Sequence, residues 1–211
     1  AIIFSDILMI PWAVNRKVDF IKGIGPQLEP MIPDETQILR NINIFNKLKP
    51  LKDSISILRN ELPQSKSLIG FAGAPWTILV YMINQQSPKK QLKKDFFENK
   101  DLINNVLLII EKFLKIHIKN QIDSGANVIQ IFDSWAGLLE NKYLPHYIYN
   151  PTLNLVKFTQ SLNTPVICFP RNIKDYKKYC DTVKPDAICI DYEVDPIKIE
   201  KEINIPIQGG M

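Results

Sequence analysis

Six short apolar runs, at residues 2–4, 67–71, 127–132, 166–169, 187–190 and 205–207, constrain this chain more than any other feature. They are rich in branched side chains and are separated mostly by longer segments of helical period. A run that is apolar on both sides buries both of its faces as a strand. Strands of that kind, alternating with helices, pair in parallel beneath a helical cover. The clearest helix is expected over 101–124, where Leu102, Val106, Ile109, Ile110, Phe113, Leu114 and His117 repeat at three and four before Gly125. Asn150-Pro151 and Asp195-Pro196 each set a capping side chain before a proline suited to the first helical position. Residues 35–62 are helical in pattern too, with Pro50 expected to break or kink them.

A parallel sheet under helices is either an open doubly wound sheet or a closed (β/α)8 TIM barrel. The dinucleotide-binding version of the first needs GxGxxG after its first strand. The near match, Gly23-Ile24-Gly25-Pro26, lacks the third glycine and follows no apolar run, so it reads as a turn. Polar residues instead stand at the ends of many runs: Asp6, Asp133, Ser134, Arg171, Asp191, Tyr192 and Gln208. Convergence from consecutive strand ends is what the top face of a barrel provides. Six strands do not close an eight-stranded barrel. The chain opens inside one run and stops just after another, so residues 1–211 are expected to form a single barrel domain. One strand–helix unit is expected to be missing before Ala1 and another after Met211.

Composition narrows the function classes. With 45% hydrophobic and 23% charged residues, the 211-residue chain excludes disordered, collagenous and coiled-coil classes. It can bury a core without disulfide or metal staples. Cys168, Cys180 and Cys189 form no CxxC, which gives no zinc pattern and suits a reducing, cytoplasmic compartment. Residues 67–88 carry no charge, but Gly70, Gly73 and Pro75 followed by Asn84, Gln85 and Gln86 indicate a buried strand, a turn and a helix start rather than a membrane span. The net charge of +4 comes mostly from lysine, with arginine only at Arg16, Arg40, Arg59 and Arg171. That pattern does not indicate a nucleic-acid surface, and Lys89, Lys90, Lys93 and Lys94 read as a solvated helix face.

Three segments are more specific than generic barrel sequence. They are Ala1-Ile2-Ile3-Phe4-Ser5-Asp6-Ile7-Leu8, Leu68-Ile69-Gly70-Phe71-Ala72-Gly73-Ala74-Pro75-Trp76-Thr77, and Gln130-Ile131-Phe132-Asp133-Ser134-Trp135-Ala136-Gly137. In this order the chain resembles the uroporphyrinogen decarboxylase family along essentially its whole length. Ile190-Asp191-Tyr192 and Ile207-Gln208-Gly209 are weaker matches, since the family usually carries Trp at Tyr192 and Asn at Gly210. The resemblance implies a cytosolic, homodimeric (β/α)8 barrel that needs neither metal nor organic cofactor. Its implied substrate is uroporphyrinogen III, from which four acetate carboxyls are removed to give coproporphyrinogen III in haem biosynthesis.

The resemblance also implies roles. Asp6 matches the family's central aspartate, an anion held against the pyrrole N–H groups. Tyr81 matches a tyrosine near the reacting acetate, and Ser134 a substrate contact. Ile2 and Phe71 are expected as apolar cavity walls. Asp133 and Asp191 are either support for the site or purely structural, and Arg171 is a possible partner for a substrate carboxylate. His117 and His146 are read as structural. The family's arginine-bearing strand and its Gly-His-Gly loop fall outside this sequence, so residues 1–211 folded alone are expected to be inactive. Two other readings compete. A zinc-dependent corrinoid or folate methyltransferase of the same barrel superfamily would need clustered His and Cys ligands. A non-catalytic porphyrin-binding barrel would need only the cavity.

Overall fold

The computed structural model describes residues 1–31, 35–88 and 91–209, without the side chains of Glu35, Ile38 and Arg40. The chain runs α1 (Met9–Ala13), β1 (Val18–Ile21), β2 (Gly25–Leu28), α2 (Glu35–Arg40), α3 (Phe45–Glu61), β3 (Ile69–Gly73), α4 (Pro75–Asn84), α5 (Lys100–Asp123) and β4 (Val128–Asp133). It continues as α6 (Asn150–Ser161), β5 (Val166–Pro170), α7 (Tyr176–Val183), β6 (Ala187–Cys189), α8 (Pro196–Glu200) and β7 (Ile207–Gln208).

Strands β3, β4, β5, β6 and β7 lie side by side in sequence order, all parallel. Residues 1–4 continue the row on the far side of β3, with Ile69 N–H donating to Ala1 O at 2.8 Å and Ile3 N–H to Ile69 O at 3.0 Å. All six apolar runs therefore enter one sheet. The order never reverses, so there is no switch point of the doubly wound kind. It is the order of a TIM-barrel wall, and among the described residues the wall stays open rather than closing into a ring.

The two faces follow from the period of two along each strand. On β4, Ile129, Ile131 and Asp133 are buried on the side covered by helices, while Gln130, Phe132 and the following Ser134 face the concave side. On β5, Val166, Cys168 and Pro170 are buried outward, while Phe169 and the following Arg171 face inward. Helix α5 covers the outside with Val106, Ile109, Ile110, Phe113, Leu114 and His117 buried, as its period predicts. Helix α4 is buried on nearly every side, which its unbroken apolar sequence demands. No helix of the described residues is long and apolar enough to cross a membrane.

Several local expectations need correction. Pro50 does not break its helix: it lies inside α3, and the interruption falls between α2 and α3 instead. Only one backbone bond is forfeited, to Asn46 in the first turn, and Asn46 is exposed to water. Asn150 caps nothing, because a π-helical turn over Pro145–Tyr149 runs directly into α6. Asp195 does cap α8, accepting from Ile197 N–H at 2.9 Å. The glycine-rich turn at residues 22–24 follows a strand after all: β1 and β2 form an antiparallel hairpin. Short length and Pro26 inside the second strand hid it from a periodicity argument. Lys93 lies in irregular chain and Lys94 in a turn, neither on a helix, while Lys89, Lys90 and Gly210 lie outside the described residues.

Candidate active site

Two adjoining cavities open on the concave side at the C-terminal ends of the strands. One of about 370 Å³ is lined by Asp6, Tyr81 and Ser134 together with Phe4, Phe20, Pro26, Phe71 and Phe132. The other, about 440 Å³, adjoins it through Phe132 and Ser134 and is lined by Ile2, Gln130, Phe169, Arg171, Asp191 and Gln208, among others. Asp6, Tyr81, Ser134, Ile2 and Phe71, scattered over 133 positions of sequence, thus border one concave surface.

Asp6 follows the first strand segment. Its Oδ1 accepts from Leu8 N–H at 2.7 Å and its carbonyl from Met9 N–H at 3.1 Å, so the carboxylate is held at the start of α1. This is the turn-capping arrangement common to aspartates, and the group still borders the cavity. Close approach by β3 sets the position of this turn. A Cβ on Gly73 would stand 2.9 Å from Ile7 O, so only glycine lets the strand end sit there.

Tyr81 comes from the second turn of α4 and is almost fully buried. Burial pushes its phenol above the ordinary tyrosine range, Trp135 and Ser87 pull it partly back, and nearby Asp6 adds to the rise. It is therefore a neutral hydrogen-bonding group at physiological pH. The Tyr81 and Trp135 rings pack edge to face, with centroids 6.2 Å apart. Phe71 stacks on Phe132 at 4.3 Å, and Phe4 tilts against Phe71 at 5.1 Å, making an apolar floor. Phe71's backbone is held by Gln121, whose Oε1 accepts from Phe71 N–H at 2.9 Å and whose amide donates to Phe71 O at 3.0 Å.

Asp133 and Ser134 are neighbours with opposite fates. Asp133 points outward, buried, with Oδ1 accepting from Thr77 Oγ1 at 2.7 Å. Burial raises its carboxyl to about 7, against the opposing bonds from Thr77 and the Trp135 backbone. Asp191 accepts from Asn172 N–H at 2.7 Å and Tyr176 Oη at 2.8 Å, so it ties down the loop after β5 while bordering the larger cavity. Buried His117 meets Gln121 Nε2 at 3.1 Å and is pushed down to about 4 by burial. His146 meets Asn104 Oδ1 at 3.0 Å, away from both cavities.

Sequence reasoning missed Thr77, Gln121 and the hairpin residues Phe20 and Pro26. Thr77 lay inside a quoted motif, whereas Gln121 looked like an ordinary polar helix position. The hairpin reaches the site because Leu28 N–H donates to Gln85 O at 2.7 Å at the end of α4. Among the described residues, no three His, Cys, Asp or Glu side chains are arranged to hold a metal ion.

The sheet order and the sequence both have likenesses among known proteins. By structure, a methyltransferase from Methanosarcina mazei superposes with a TM-score of 0.76 at 15% identity, covering 96% of this chain and 60% of that one. A B12-independent methionine synthase from Shewanella sp. W3-18-1 gives 0.53 at 13% identity, over 92% and 56%. At such identities the likeness concerns the fold alone. By sequence, the uroporphyrinogen decarboxylase of Rickettsia bellii (strain RML369-C) is 38% identical over 217 residues, and that of Wolbachia pipientis wMel 37% over 216. All of this chain is covered in both, and it spans 64% and 63% of those relatives' lengths. The family model described as "Uroporphyrinogen decarboxylase (URO-D)" matches residues 1–211. The chain belongs to the uroporphyrinogen decarboxylase family.

Proposed function

We propose that the protein removes the four acetate carboxyls of uroporphyrinogen III, giving coproporphyrinogen III, and that Asp6, Tyr81 and Ser134 are the residues of this chain at the reacting centre. The observation that carries this reading is the placement of one carboxylate, one neutral phenol and one hydroxyl around an aromatic cavity at the strand ends of a member of this family.

The chemistry explains the arrangement. A pyrrole acetate cannot lose carbon dioxide until its electrons have a sink. Protonating the pyrrole carbon makes a cationic ring. The carbon–carboxylate bonding pair then flows into that ring, carbon dioxide leaves, and a proton is added to the exocyclic carbon as the ring proton departs. Each acetate thus consumes one proton and becomes a methyl group. A fixed anion facing the ring nitrogens stabilises the positive charge as it grows, which lowers the barrier without binding the uncharged pyrrole of the ground state equally well. One charge-assisted hydrogen bond of this kind contributes roughly 1.5–3 kcal/mol, or about one to two decades in rate when realised only in the transition state. Tyr81, kept neutral, donates or accepts beside it without competing for the charge. Family membership also supports a cytosolic homodimer.

The test is anaerobic turnover of uroporphyrinogen by the full-length protein, with Asp6→Asn and Asp6→Ala beside wild type. Turnover reduced about ten- to hundredfold or more in both variants is expected. Undiminished turnover in both removes Asp6 from its role. Tight porphyrinogen binding without any turnover by wild type identifies a binding barrel instead.

A further inference from the structure

Arg171 stands just past the end of β5, and its backbone is fixed on two sides. Its N–H donates to Asp133 O at 3.1 Å, and its carbonyl accepts from Gly137 N–H at 3.0 Å. The second contact requires glycine, because a Cβ on Gly137 would lie 2.5 Å from Asn172 Cβ and 2.6 Å from Asn172 O. The side chain is treated differently. It is exposed, and the guanidinium has neither a hydrogen bond nor an ion pair among the described residues. Neighbouring acids are engaged elsewhere: Asp191 by Asn172 and Tyr176, and Glu193 by the Tyr192 hydroxyl at 2.8 Å.

Ser134 borders three cavities, and Arg171 is the single cation among the described residues lining them. Asp6 and Arg171 occupy the ends of a row. The first segment, β3, β4 and β5 are consecutive neighbours, so the two residues stand three strand spacings apart, roughly 14 Å along the sheet. Between them lie Phe71, Phe132 and Phe169, the last two edge to face at 6.2 Å. An anion at one end, an apolar floor, and an unpaired planar cation at the other end match a ring whose centre donates hydrogen bonds and whose rim carries carboxylates. Guanidinium is the group best shaped for two parallel bonds to a carboxylate.

We propose that Arg171 is a specificity-determining residue that takes a peripheral carboxylate of the tetrapyrrole while its nitrogens face Asp6. This rests on the proposed substrate class but not on the reaction. Loss of the contact weakens binding by about ten- to hundredfold, and lysine, which keeps the charge but not the fork, restores part of it.

The experiment titrates full-length wild type, Arg171→Gln and Arg171→Lys with uroporphyrinogen anaerobically by intrinsic tryptophan fluorescence, and repeats it with a porphyrinogen bearing two carboxylates. Carbon dioxide release is followed in parallel. Weaker uroporphyrinogen binding in Arg171→Gln, partial recovery in Arg171→Lys and a smaller change for the two-carboxylate ring are expected. Equal affinity of wild type and Arg171→Gln for uroporphyrinogen, or equal losses for both rings, overturns the contact. Wild type that shows the expected binding pattern but releases no carbon dioxide overturns the decarboxylase reading and leaves the Arg171 contact standing. Wild type that binds neither ring overturns both.

Discussion

Thr77 Oγ1 lies 2.7 Å from Asp133 Oδ1 and accepts from Trp135 N–H at 3.2 Å, so one hydroxyl joins the first turn of α4 to the segment that carries Ser134. The same helix presents Tyr81 four residues later, on the same face. A second tie reinforces the first, as Trp76 Nε1 donates to Trp135 O at 2.9 Å. The relative placement of Tyr81 and Ser134 is thereby set by buried hydrogen bonds behind the cavity rather than by contacts inside it.

Thr77→Val removes the hydroxyl at nearly constant volume, and with it both the bond to Asp133 Oδ1 and the Oγ1 acceptor of Trp135 N–H. A loss of about 1–3 kcal/mol is expected, read by urea denaturation of the full-length protein. Thr77→Ser keeps most of that stability, because the hydroxyl is retained. A valine variant as stable as wild type would show that the relay carries no energy.

The Asp133 carboxyl gives stability a pH dependence of definite sign. Its pKa rises from 3.8 unfolded to about 7 folded. The folded state therefore holds a proton that the unfolded chain has lost, and stability falls as pH climbs between those values, by about 1.4 kcal/mol per unit at most. The contribution is whole below pH 4 and gone above about 7. Asp133→Asn, which cannot ionise, is expected to gain on wild type as pH is raised from 5 to 7.5 in matched unfolding titrations. A constant difference over that range would contradict the assignment.

Gly137→Ala tests the packing beneath Arg171. The added methyl meets Asn172 Cβ at 2.5 Å and its carbonyl at 2.6 Å, and the obstacle includes backbone, so the two loops must separate. Overpacking of this type costs about 1–3 kcal/mol. The melting temperature is expected to drop, and the Arg171 backbone bond to Gly137 should open, which amide exchange at Gly137 reports. Unchanged exchange would show that the loops accommodate the methyl without separating.

Tyr81→Phe keeps the ring against Trp135 and deletes only the hydroxyl. Turnover is expected to fall about five- to tenfold, the scale of one neutral hydrogen bond, with stability little altered. Because burial raises the phenol above its ordinary range, the wild-type rate should show no tyrosine ionisation below pH 9. An unaltered rate in the phenylalanine variant would place the phenol outside the reacting centre.

The amino-acid sequence by itself determined the parts that depend on local pattern. Six apolar runs, the α5 stripe from Val106 to His117 and the Asp195 cap are properties of neighbouring residues, and each is present in the fold. Motifs brought Asp6, Tyr81 and Ser134 into view for the same reason, since each was flanked by a recognisable string. Tertiary structure alone decided what depends on partners far along the chain. Pleating sends Asp133 outward and Ser134 inward, a difference invisible in the pair Asp133-Ser134 until the helix side of the sheet is known. The hairpin at 18–28, too short to be stable alone, exists as a cavity wall because α4 ends where Leu28 can bond Gln85. Gln121 and Thr77 acquired their roles from contacts more than 45 residues distant, and such contacts leave no periodicity to read.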